Sequence, residues 1–203
     1  MVVGTGTDVG KTWVTAALAR DLVAAGVRVA ARKPAQSFAP EDPVEGRDAA
    51  VLARATGEDP DAVCPPHRAY AVALAPPMAA ATLGRPPIVL ADLLAELTWP
   101  EGCQVGFVET VGGVRSPISD DADGVTLVDA LDPDLVLLVA DAGLGTLNLV
   151  RLTVAALADR PTITILNRYN GSDALHRDNR DWLAGRDGLD VVTSVAELTA
   201  RLS

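Results

Sequence analysis

Nine residues near the start of the chain, Gly4-Thr5-Gly6-Thr7-Asp8-Val9-Gly10-Lys11-Thr12, have the composition and order needed to hold a polyphosphate. A short apolar run, Val2-Val3, precedes them and an apolar helical pattern follows. Strand, glycine-rich loop and helix in that order are the context of a phosphate-binding loop. Glycine lets the backbone turn sharply and bring its N–H groups against phosphate oxygens. A helix starting near Gly10 adds free N–H groups and the positive end of its dipole. Lys11 can reach the β- and γ-phosphates, and the Thr12 hydroxyl can ligate Mg²⁺. Five residues separate Gly4 from Gly10, one more than in the commonest form of the motif. The bland reading, a glycine-rich turn beside a chance lysine, leaves the agreement of strand, loop and helix unexplained.

Of the seventeen Lys and Arg residues, only Lys11 and Lys33 are lysine. A chain that makes its ordinary surface cations from arginine keeps lysine where a compact ammonium is needed and a planar fork does not fit. Four strand ends carry candidate chemistry. The first strand runs into the phosphate loop, the second ends at Lys33, another ends at Glu109 and a later one at Asn167. Asp48 opens the helix after the second strand and can point to the same edge. Thr12, Asp48 and Glu109 form an all-oxygen set of the kind Mg²⁺ prefers. Lys33 can stabilise charge on a phosphoryl group in transit. Each residue also has a plainer reading: Asp48 as a helix cap, Glu109 and Lys33 as solvated strand ends, Asn167 as a turn residue, Ser37 as a loop hydroxyl and Asn148 as a helix cap. His67 and His176 read as structural or solvent-facing, and Asp120, Asp121 and Asp123 as a solvated loop.

The elements that must position these groups alternate between strand and helix. Helical spacing covers residues 11–25 and stops at Gly26. Val27 to Ala31 is a short strand, a polar loop runs from Gln36 to Gly46, and Asp48 to Thr56 is a helix closed by Gly57. Residues 58–77 are proline-rich and irregular, and helices follow at Met78 to Leu83 and Val89 to Leu97. Strands are expected at Val105 to Val108, Leu135 to Ala140, Thr162 to Leu166 and Val191-Val192. Helices are expected at Leu147 to Leu157, 172–184 and 195–202. The alternation predicts an α/β fold: a three-layer, doubly wound, mainly parallel sheet of the P-loop NTPase type, in one domain spanning residues 1–203. Ligands then bind beyond the C-terminal ends of the strands.

Bulk properties exclude several classes. The net charge is −10 and no arginine stripe forms, which argues against nucleic-acid binding. No run of eighteen or more apolar residues is present to span a membrane. No signal-peptide pattern opens the chain, and Cys64 and Cys103 lack metal-ligand spacing, so a reduced, cytoplasmic protein is expected.

Taken together, the motifs resemble the ATP-dependent dethiobiotin synthetases. That family has a long phosphate loop like Gly4 to Thr12, a Lys-Pro a few residues before a serine, like Lys33-Pro34 and Ser37, and an Asp like Asp48. Its Glu-Gly-Ala-Gly-Gly run is matched imperfectly by Glu109-Thr110-Val111-Gly112-Gly113. Gly145-Thr146-Leu147-Asn148, Asn167 and the Leu74 to Ala80 turn have counterparts as well. The likeness covers roughly residues 2–170. It departs at Thr110, at the very short first strand, and after residue 170.

The resemblance implies ATP and Mg²⁺ as cofactors and 7,8-diaminopelargonate with CO₂ as substrates. The reaction would pass through a carbamate and a carbamic-phosphoric mixed anhydride, on a homodimer. It implies nucleotide contacts from Asp8, Val9, Gly10, Lys11, Thr12, Thr15, Asp48, Glu109, Gly112 and Asn167. Thr12, Asp48 and Glu109 would hold the metal, Lys33, Lys11 and Thr7 would act in catalysis, and Thr7, Ser37 and Asn148 would bind substrate. Three other readings compete. A partitioning-type ATPase would need a second lysine early in the loop, and a cobyrinate amidotransferase would need an appended glutaminase domain. A synthetase-like enzyme acting on a different diamine or carbamate, or a non-catalytic homologue, is the third.

Overall fold

The structure, a computed structural model, describes residues 1–202. In chain order its elements are β1 (Val2–Gly4), α1 (Lys11–Ala24), β2 (Val29–Arg32), β3 (Gln36–Ser37), α2 (Asp48–Thr56), α3 (Pro60–Val63), β4 (Ala69–Tyr70), α4 (Pro76–Thr82) and α5 (Leu90–Glu96). There follow β5 (Val105–Val108), α6 (Gly124–Leu131), β6 (Val136–Asp141), α7 (Thr146–Leu157), β7 (Thr162–Asn167), α8 (Ala174–Asp181), β8 (Val191–Val192) and α9 (Val195–Leu202).

Parallel pairing builds the centre. β1, β6, β7 and β8 form one sheet in that order, and β2 pairs with β5. The two pieces meet where Val2 bridges Glu109, and the Thr110 N–H donates to the Val2 carbonyl at 3.0 Å. β1 therefore lies between β5 and β6, and the strands lead away from it in both directions. In a sheet of this kind the crevice for ligand opens at such a reversal.

Both faces of the sheet are covered, which is why its strands read as continuous apolar runs. Along β6, Leu137 and Val139 enter one core with Leu18, Leu22, Leu52 and Leu198 from α1, α2 and α9. Leu138 and Ala140 enter the other, with Leu127, Val150 and Leu157 from α6 and α7. Period-two alternation thus supplies two cores from one strand. This is the expected three-layer doubly wound fold. Among the described residues no helix is long and apolar enough to cross a membrane.

Most expected elements lie within one or two residues of their observed bounds. Three regions differ. No element was expected over residues 125–134, yet α6 forms there, with the Asp123 carboxylate capping it by accepting from the Thr126 N–H at 2.9 Å. The supposedly polar loop after Lys33 begins with β3, which pairs with β4 inside the stretch expected to be irregular. That stretch also contains α3. The three loop aspartates are not merely solvated. Asp120 accepts from the Ile88 N–H and Asp121 from the Leu90 N–H, while Asp123 caps α6 and pairs with Arg115.

Candidate active site

The phosphate loop turns because two of its residues take left-handed backbone conformations, Asp8 at φ 58° and Gly10 at φ 95°. Gly10 is required twice over. A Cβ there would strain the backbone and would lie 2.0 Å from Asn167 Nδ2. Asn167 uses that nitrogen to donate to the Val9 carbonyl at 2.9 Å, so the end of β7 pins the loop. The next residue, Arg168, donates to the Asp8 carbonyl at 2.8 Å and pairs with Asp141 at 3.0 Å.

Lys11 is the first residue of α1 and folds back over the loop. Its ammonium donates to the carbonyls of Gly6 (2.8 Å) and Gly112 (2.7 Å). Burial, with Lys33 nearby, lowers its pKa from 10.5 to about 8, although Glu109, Asp48 and Asp8 oppose the shift. Protonated, Lys11 is an ammonium held on neutral carbonyls, ready for a stronger anion.

Lys33, just past β2, lies between two carboxylates. Its Nζ is 2.6 Å from Asp48 Oδ2 and 2.8 Å from Glu109 Oε1, and it donates to the Thr110 carbonyl at 3.0 Å. Burial alone would lower its pKa, but Asp48 and Glu109 outweigh burial and hold it above the ordinary lysine value. Asp48 is shifted down, because Lys33 and Thr12 together overcome its own burial. Asp48 is not the helix cap: Arg47 occupies that position, and Asp48 is the first residue of α2.

The Thr12 hydroxyl joins the group, 2.8 Å from Asp48 Oδ1 and 2.7 Å from Glu109 Oε1. It has one proton and two anionic acceptors, so it hydrogen-bonds one of them at a time. The other oxygen pair is close without a proton between, an arrangement a cation relieves. Thr15, one turn along α1, approaches the second Glu109 oxygen at 2.9 Å and orients that carboxylate.

These groups edge a cavity of about 1030 Å³. Thr7, Asp8, Gly10, Lys11, Thr12, Lys33, Ser37, Asp48 and Gly112 line it. Val9, Thr15, Glu109 and Asn167 are buried behind it and act through their neighbours. Asn148 is not in the lining; it is exposed in the first turn of α7. Thr110, where the resemblance has a glycine, needs no special backbone conformation and is fully buried, tying β5 to β1. Sequence reasoning did not find Gln36, Phe38, Arg47 and Arg168 in the cavity wall. Arg168 follows Asn167 directly, and that adjacency was the available signal.

A strand, an anion-binding loop and a helix on a parallel sheet define a P-loop nucleotide-binding protein. A family profile described as an AAA domain matches residues 1–200. The chain is 39% identical over 203 residues to the ATP-dependent dethiobiotin synthetase BioD of Haloferax mediterranei, covering 95% of this chain and 81% of that protein. It is 40% identical over 212 residues to that of Rhodococcus jostii, covering 100% and 88%. The chain belongs to the ATP-dependent dethiobiotin synthetase family. Among solved structures it resembles the signal recognition particle receptor FtsY from Elizabethkingia anophelis, with a TM-score of 0.54 and 17% identity, covering 94% of this chain and 56% of that one. At that identity the likeness is one of fold alone.

Proposed function

We propose that the protein closes the ureido ring of dethiobiotin from 7,8-diaminopelargonate and CO₂ at the expense of ATP. The observation that carries this reading is the meeting of Thr12, Lys33, Asp48 and Glu109 beside the Lys11 ammonium, from four separate segments. One amine takes up CO₂ as a carbamate and loses a proton. A carbamate oxygen then attacks the γ-phosphorus, and ADP leaves. The second amine attacks the carbamoyl carbon, phosphate leaves, and the ring closes.

The chain's own groups suit these steps. The loop N–H groups and Lys11 bind and orient the triphosphate. Lys33 tempers the charge of Asp48 and Glu109 where the anionic acceptor must approach. Thr7 and Ser37 line the same cavity and can orient the diamine. Thr12, Asp48 and Glu109 are oxygen donors that fit Mg²⁺, and the two hydroxyl–carboxylate contacts served by one proton favour a cation there. Bound there, Mg²⁺ would neutralise charge on the β- and γ-phosphates. Among the described residues no cluster of three or more His, Cys, Asp or Glu side chains forms a metal cage, so triphosphate oxygens and water would complete the shell.

The same reading makes the protein a cytoplasmic homodimer. Asn148 stands among exposed Leu144, Leu149 and Leu152, the last at 62% exposure, an apolar face suited to a second copy. Asn148 would then meet the partner's substrate. Mass spectrometry of the products from ATP, Mg²⁺, bicarbonate and 7,8-diaminopelargonate tests the proposal. Dethiobiotin is expected; tight ATP binding without it would assign the site to another substrate.

A further inference from the structure

Two arginines line the cavity and differ in what they hold. Arg168 is committed to Asp141 and to the phosphate loop. Arg47, among the described residues, has no ion-pair partner. Its guanidinium carbon sits 3.8 Å from the centroid of the Phe38 ring. Its Nε is screened from solvent and finds no acceptor. Ser37 Oγ, next to Phe38 in the same wall, is likewise buried and without a partner.

Stacking on an aromatic face fixes a guanidinium's plane while leaving its edge donors free. Buried donors without acceptors cost free energy unless a ligand satisfies them. The charge balance of the site points the same way. Lys33 is committed to Asp48 and Glu109, so the two lysines and two acids of the cluster cancel. The triphosphate, the carbamate and the substrate's carboxylate tail add negative charge. Lys11 is placed on the phosphate loop to meet the triphosphate, and among the described residues Arg47 is the other cation of the wall without an acid partner. We propose that Arg47, seated on Phe38 and flanked by Ser37, is a substrate-binding residue that grips a carboxylate-type anion of the substrate through its fork. This rests on the reaction proposed above, whose substrate carries two such groups, the tail carboxylate and the carbamate.

The test compares wild type with Arg47→Ala, Arg47→Lys and Phe38→Leu. Among the described residues the Arg47 side chain has no hydrogen bond or ion pair, only its stacking on Phe38; α2 is capped through the Arg47 backbone, whose carbonyl accepts from Val51. Arg47→Ala is expected to raise the KM for the diamine by about tenfold or more, the loss of one bidentate charged contact, with the Kd for ATP unchanged. Arg47→Lys should recover little of this, because a lysine can neither fork nor hold its plane on the ring. Phe38→Leu should fall between. The methyl ester of the diamine separates the two anions. Equal KM values for the ester in wild type and Arg47→Ala assign the grip to the tail carboxylate; a persisting penalty assigns it to the carbamate. An unchanged diamine KM in Arg47→Ala, or an equal loss of ATP affinity, overturns the proposal while leaving the reaction intact. Wild type that makes no dethiobiotin overturns the reaction and this inference with it.

Discussion

Lys33 and Glu109 form a buried ion pair at 2.8 Å, the lysine 2% exposed and the glutamate not at all. Seventy-six residues apart in sequence, they meet because β2 and β5 are adjacent and parallel, with both groups just past the strand ends. The pair is more than a structural clasp, since Asp48 and Thr12 crowd onto the same atoms. Removing Lys33 leaves the carboxylates of Asp48 and Glu109 without the cation they share, a loss of about 3–5 kcal/mol in comparable buried pairs. Lys33→Met should lower the melting temperature markedly and cut turnover by orders of magnitude. The double variant Lys33→Met/Glu109→Gln should recover part of the stability, since Asp48 still lacks its cation, and none of the turnover. A thermal-denaturation cycle with kcat measured alongside separates the two effects; near-normal turnover in Lys33→Met removes the residue from the mechanism.

The depressed pKa of Lys11 makes nucleotide binding pH-dependent. Folded, the ammonium loses its proton near pH 8; unfolded, it does so near 10.5. Between those values the unfolded chain holds the extra proton, so this group's contribution to stability rises with pH across that window. Below pH 8 both states are protonated and the buried charge is a constant cost. ATP favours the protonated form. Its affinity should therefore fall as pH rises past about 8, and binding at pH 8–9 should take up a proton. Calorimetry in two buffers of different ionisation enthalpy measures that uptake, and Lys11→Ala should abolish it while weakening ATP binding.

Gly10 and Asn167 are fitted to each other, and their variants should not be additive. Gly10→Ala places a methyl group against Asn167 Nδ2 in a left-handed backbone conformation. ATP affinity should fall by about tenfold to a hundredfold, equivalent to roughly 1.4–2.7 kcal/mol. Asn167→Ala releases the Val9 carbonyl and should cost about tenfold. Combined, they should bind ATP better than the product of the two losses, because the second substitution removes the clash. Strict additivity in equilibrium titration would contradict the pinning of the loop by β7.

The exposed leucines around Asn148 give a test of assembly. Leu152→Glu puts a charge on the face formed with Leu149, three residues before it on α7. Sedimentation should show a dimer for the native protein and a monomer for the variant. The diamine KM should rise on dissociation, with ATP binding retained. A native protein that sediments as a monomer at all concentrations would leave Asn148 without a role at the site.

Much of the site was legible because local rules wrote it. The phosphate loop, α2 starting at Asp48, and strands ending near Lys33, Glu109 and Asn167 follow from glycine placement and from runs with a clear period. α6 was obscured by the glycines and aspartates leading into it, although Asp123 and Thr126 supply its cap. β3 and β4 are two residues each, too short to carry a period, and exist because they pair with one another. Arg47 and Phe38 read as ordinary residues of a polar loop; their stacking depends on a fold of that loop that no spacing encodes.

The sequence by itself determined that this chain binds a polyphosphate on a parallel α/β sheet, and which few side chains could serve it. Those facts depend on residues near one another along the chain. Only the tertiary structure decided that Lys33 is shared by Asp48 and Glu109, that Asn167 and Arg168 hold the loop from the far side, and that Arg47 lines the cavity with no acid paired to it among the described residues. Such relationships arise from strand order and burial, which bring distant segments within a few ångströms and remove the water that would otherwise separate them.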